Sequence, residues 1–75
     1  MIVTTLKDGQ KMLSSCRDKQ DLEKINETLK SIDIICDSAF YGNKYLTEIV
    51  IPDNVNYIGE SAFANCNNLT KVTLP

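Results

Sequence analysis

The chain has 75 residues, a net charge of −2, 43% hydrophobic and 24% charged residues. That is one small domain with enough apolar residues to fold, which argues against a disordered segment. The weak negative charge, with no basic stripe, excludes binding to a nucleic-acid backbone, and no apolar run is long enough to span a membrane.

In chain order, Ile2 to Leu6 is β-prone, Asp8-Gly9 is a turn dipeptide and Met12-Leu13 reads as a returning strand. A hairpin is expected over 2–13. Leu22, Ile25, Leu29 and Ile32 then follow at helical spacing and predict an amphipathic helix over 18–31. Asp18 or Asp21 is its start signal, with Glu23 in the first turn.

From residue 32 a sentence is written twice. Ile35 to Pro52 aligns on Ile58 to Pro75 at an offset of 23, and seven of the 18 paired positions are identical. A fixed period of this size is the signature of a solenoid, in which each coil packs only on its neighbours. Leu46, Ile49 and Ile51 share an L-x-x-I-x-I spacing with Leu69, Val72 and Leu74, and both stretches read as strands. One coil apart, they must lie parallel: Leu46 beside Leu69, Ile49 beside Val72, Ile51 beside Leu74, spaced about 4.8 Å. Phe40 and Phe63 form a second ladder. Pro52 ends the first strand and Asp53-Asn54 turns the chain. Val55 and Ile58 are expected to point inward. Ser61 to Cys66 is expected to form a short helical or 3₁₀ turn capped by Ser61 or Glu60, as is its earlier copy, Asp37 to Asn43.

Shifting Leu46, Ile49 and Ile51 back by 23 lands on Glu23, Asn26 and Thr28, none suited to a core strand. Residues 1–31 are therefore expected to form an N-terminal α-helical cap and residues 32–75 about two coils. The fold class is α+β, a short solenoid of parallel strands.

The pattern Leu46-Thr47, Ile49, Ile51-Pro52, Val55, Ile58-Gly59, Ala62-Phe63, Cys66 and Leu69 resembles the 23-residue BspA-like leucine-rich repeat. The resemblance covers 32–75. The upstream copy departs from it, with Cys36 in place of Gly and Asn43 in place of Cys. The resemblance implies a solenoid used for protein–protein contact and brings no catalytic residues with it.

The chemistry agrees. The chain has no histidine, which removes triads and His-ligated metal sites. It has no phosphate-cradling glycine loop. Cys16, Cys36 and Cys66 are an odd set without metal spacing and read as reduced packing thiols. No enzyme, cofactor or metal is expected. The expected function is a non-enzymatic protein-interaction module. The expected binding face is the concave one, with Glu48, Val50, Lys71 and Thr73 facing out and Glu48–Lys71 forming a cross-strand ion pair. Tyr41, Tyr45 and Tyr57 are candidate contact aromatics. Leu69, Val72, Leu74 and Phe63 have no coil beyond them and predict a homodimer through this uncapped edge. The chain shows no secretion signal, so a cytoplasmic location is expected, or a surface location if it is a fragment. Two alternatives remain: a stand-alone phage or mobile-element inhibitor of a host defence enzyme (anti-CRISPR-like), and the N-terminal part of a longer cell-surface repeat protein.

Overall fold

A computed structural model describes residues 1–75. The hairpin forms from β1 (Ile2–Thr5) and β2 (Lys11–Ser15), antiparallel, with Thr5 opposite Lys11. Gly9 makes its turn possible by adopting φ 89°. After β2 the geometry changes to parallel stacking. β3 (Ile34–Ile35) pairs with β2, and β5 (Tyr57–Ile58) pairs with β3, giving the order β1-β2-β3-β5. A second sheet is the parallel pair β4 (Glu48–Val50) and β6 (Lys71–Thr73). Its register is the one the repeat predicts, with Ile49 opposite Val72.

A third run of hydrogen bonds joins turn to turn. Cys16 N donates to Ala39 O at 2.7 Å, Phe40 N to Ala62 O at 2.7 Å and Gly42 N to Ala64 O at 2.9 Å. The second coil is thus tied to the third along three lines, and β2 and Cys16 tie the segment before it along two. The Phe40 and Phe63 rings stack with centroids 4.9 Å apart.

The first coil begins before residue 32. Leu13 pairs with Ile35, and Cys16 bonds to Ala39, so β2 is a rung of the same ladder. Two features hide it in the sequence. Two residues separate Leu13 from Cys16 where three separate Ile35 from Ala39, so one fixed offset cannot align both. And where the later coils have β4 and β6, the first has helix.

That helix is shorter than expected over 18–31. A 3₁₀ turn spans Gln20–Glu23, and α1 spans Ile25–Leu29. They are separated at Lys24, whose φ of −112° lies outside the helical range. Neither Asp18 nor Asp21 caps it, since the N-cap positions are Lys19 and Lys24 and neither makes a side-chain cap bond. The apolar stripe nevertheless works: Ile25, Leu29 and Ile32 are buried, and Leu22 packs against the core. Asn54 holds the end of this segment by donating to Leu29 O at 2.8 Å and Ile32 O at 2.7 Å.

The expected 3₁₀ turns at 37–43 and 61–66 are hydrogen-bonded turns instead. Ser38 and Ser61, one period apart, adopt φ 58° and 56°, and Gly42 and Asn65 adopt 71° and 57°. A serine with positive φ is not in an N-cap conformation, so Ser61 does not cap a helix. The strain at Ser38 is offset by a clasp between coils. Ser38 N donates to Glu60 O at 3.0 Å, and Glu60 N donates to Asp37 Oδ1 at 2.9 Å.

The outward strand face and the open end of the stack

Two surfaces stand out. The first is the outward face of the β4–β6 sheet. Alternation along β4 buries Ile49 and exposes Glu48 and Val50. Lys71 and Thr73 lie opposite them on β6. All four side chains expected at the binding face therefore sit together on one two-stranded surface. Asn26 of α1 stands at its margin, and with Glu48, Ile49, Val50, Lys71 and Thr73 it lines a hollow of about 130 Å³. Val50 is 58% exposed and is the apolar centre of this polar surround. The expected Glu48–Lys71 ion pair is absent: the chain's two ion pairs are Met1–Asp21 and Glu27–Lys30. On an exposed surface both side chains keep more freedom apart than paired.

The second surface is the end of the stack beyond β5 and β6. Exposure rises sharply from each core position to its copy one coil later. Ile35 is fully buried and Ile58 is 38% exposed; Ile49 goes from 2% to 43% at Val72; Ile51 goes from 2% to 62% at Leu74. Phe63 and Leu69 are half-buried against the core. Phe63, Leu69, Val72 and Leu74 are therefore assembled on one apolar end. Ile58 belongs with them. It does not point into a closed core as expected, because no further rung covers it.

Sequence reading missed one polar core residue. Asn43 is fully buried. Its Nδ2 donates to Cys16 O at 3.1 Å, and its Oδ1 accepts from Tyr45 N at 3.0 Å. Cys66, its copy one period later, uses its thiol in the same way and donates to Phe40 O at 3.0 Å. The signal was present: a position that takes Cys or Asn at fixed period needs a small side chain able to donate to the coil before it. The tyrosines are exposed but dispersed. Tyr41 Oη accepts from Asn65 Nδ2 at 2.7 Å, and the Tyr45 ring lies under Lys44 Nζ at 5.6 Å.

Cys16 is fully buried, and burial, reinforced by Asp21, pushes its thiol up to about 11. It is a neutral packing group and no nucleophile. The Met1 amine and Asp21 carboxylate are 2.9 Å apart. Their hydrogen bond raises the amine and lowers the carboxyl relative to their ordinary values.

Comparison with the curated proteins and with the solved structures gave no match. The family model of the BspA type leucine rich repeat region (6 copies) matches residues 9–75. The match starts in the hairpin turn, just before β2, and so takes in the first rung as well as the two written-out copies. By this match, supported by the 23-residue ladders, the chain belongs to the BspA-type leucine-rich-repeat family.

Proposed function

We propose that the chain is a non-enzymatic protein-binding module, a short solenoid that presents the outward face of β4 and β6 to a partner protein. Membership of a repeat family used for protein contact supports the interaction role. In this reading β1 and α1 cap the first end of the stack, and the coils run from β2 to β6. The observation that favours this face is the exposure of Val50 between Glu48, Lys71 and Thr73 on paired strands. The backbone there is fixed by the ladder, so binding orders only side chains, which lowers its entropic cost. The hollow beside Asn26 would receive one side chain of the partner. Neither the family nor the geometry supports the host-defence inhibitor, and it is not carried further.

A photo-cross-linking residue placed at Val50, with a second placed at Asp8 in the hairpin turn as control, tests this. The expected result is a protein adduct from position 50 that disappears in the Glu48→Lys, Lys71→Glu double variant. Equal adducts from both positions, or none from position 50, would overturn it.

A further inference from the structure

β5 and β6 each have a single sheet neighbour, so their outer edges carry unpaired backbone donors and acceptors. Ile58, Phe63, Leu69, Val72 and Leu74 make the same end apolar. Whatever seals this end must bring a strand edge at about 4.8 Å together with an apolar row.

The chain itself offers two ends. At the first, the place beside β4 is taken by α1, whose Asn26 and Lys30 border Val50 and Pro52. A β6 strand arriving there would meet a helix and find no strand edge to pair with. The second end does carry a strand edge at the right place: its own β6. We infer that the open end pairs with the same end of a second copy, β6 running antiparallel to β6 about Val72.

The residues on β6 fit this register. Antiparallel pairing centred on Val72 sets Val72 opposite the partner subunit's Val72 and Lys71 opposite the partner subunit's Thr73. No like charges face each other, and the central pair is β-branched, the combination that stabilises a cross-strand contact. An isologous contact of this kind closes at two copies, whereas head-to-tail stacking would grow without limit. It would also join the two β4–β6 sheets into one four-stranded surface, doubling the outward face that carries Glu48, Val50, Lys71 and Thr73. The inference rests on the end of the stack and stands whether or not that face binds a partner.

Sedimentation of the 75-residue chain from micromolar to millimolar concentration gives the first test. A twofold mass is expected, falling to the single-chain mass in Val72→Lys with an unchanged far-UV circular dichroism spectrum. A single-chain mass throughout, as expected if a further coil or another protein is the natural occupant, overturns the inference. So does a mass that keeps rising with concentration. The register is tested by oxidising Val72→Cys and Thr73→Cys, with the unsubstituted chain as the blank for Cys16, Cys36 and Cys66. Directly opposite residues lie about 4.5–5.5 Å apart between Cα atoms, within disulfide reach. A covalent dimer from position 72 and little from position 73 is expected. Equal yields, or a greater yield from position 73, overturn the register.

Discussion

Gly59 lies hard against Asp37: a β-carbon on Gly59 would stand 2.7 Å from the Asp37 Cα and closer still to its amide nitrogen and carboxylate. The contact joins one coil to the next, since Gly59 N donates to Ile35 O at 2.8 Å and the neighbouring Glu60 N donates to Asp37 Oδ1 at 2.9 Å. Glycine is required here by proximity and not by backbone dihedral angle. One coil earlier the same position is Cys36, which has the turn between Leu13 and Cys16 beneath it, shorter by one residue. Gly59→Ala is expected to cost about 2–3 kcal/mol through overpacking against backbone. In a domain this small that lowers Tm by about 10 °C or more, and thermal denaturation followed by circular dichroism measures it.

Asn43 and Cys66 occupy one position of the repeat and solve one problem with different chemistry. Asn43→Ala leaves Cys16 O and Tyr45 N without their partner and is expected to cost about 2 kcal/mol. Asn43→Cys keeps a donor of the right length, as Cys66 demonstrates, and is expected to cost less than half as much. Urea unfolding of the two variants decides. Equal losses would show that the amide's shape, and not its donor, is what the site needs.

The stacked rings differ in value. Phe40 is fully buried between coils, and Phe40→Ala is expected to cost about 3–5 kcal/mol. Phe63 has the open end on its far side, so Phe63→Ala is expected to cost roughly half of that. Chemical denaturation of the two variants gives the ratio directly. If the open end pairs with a second copy, the gap between them narrows as protein concentration rises.

The stability of the chain falls at both extremes of pH for identifiable reasons. Cys16 is raised from 9.0 to about 11, so its contribution is whole below pH 9 and is lost as the pH climbs toward 11. The Met1 amine is raised above 8.0 by Asp21, so its share is present below pH 8 and disappears above the folded-state value. Asp21 is lowered below 3.8, so its share is present above that pH and goes as acid protonates it. Asp21→Asn should flatten both the acid limb and the first part of the alkaline limb while leaving most of the Cys16 step, whose main cause is burial. The same burial predicts the order of thiol alkylation at neutral pH: half-buried Cys36 first, with buried Cys16 and Cys66 reacting only after unfolding, as read by mass spectrometry with and without urea.

Much of this fold was legible because a repeat states its own register. The offset of 23 between Ile49 and Val72 predicts which strands pair and which residues face each other, and Phe40 over Phe63 follows from the same arithmetic. Of the expected binding surface, the grouping of Glu48, Val50, Lys71 and Thr73 needed only strand alternation. The first rung was hidden because a single missing residue between Leu13 and Cys16 defeats a fixed offset. The stripe from Leu22 to Ile32 showed which side is buried, but side-chain periodicity does not report the backbone break at Lys24. Ser38 and Ser61 adopt positive φ against their intrinsic preference; at Ser38 a partner 22 residues away supplies the compensating bonds, and local propensity carries no record of that. Asn43 looked like a departure from the repeat and is a functional synonym.

The rise in exposure from Ile49 to Val72 and from Ile51 to Leu74 also sets an order of opening. In a stack where each coil touches only the next, β6 can peel away without disturbing β2 or β3. Amide protons of β2 and β3 should then be the slowest to exchange with deuterium, those of β4 intermediate and those of β6 the fastest. The molecule behaves as a zipper fastened at its first coil, and its last tooth is the one most ready to engage something else.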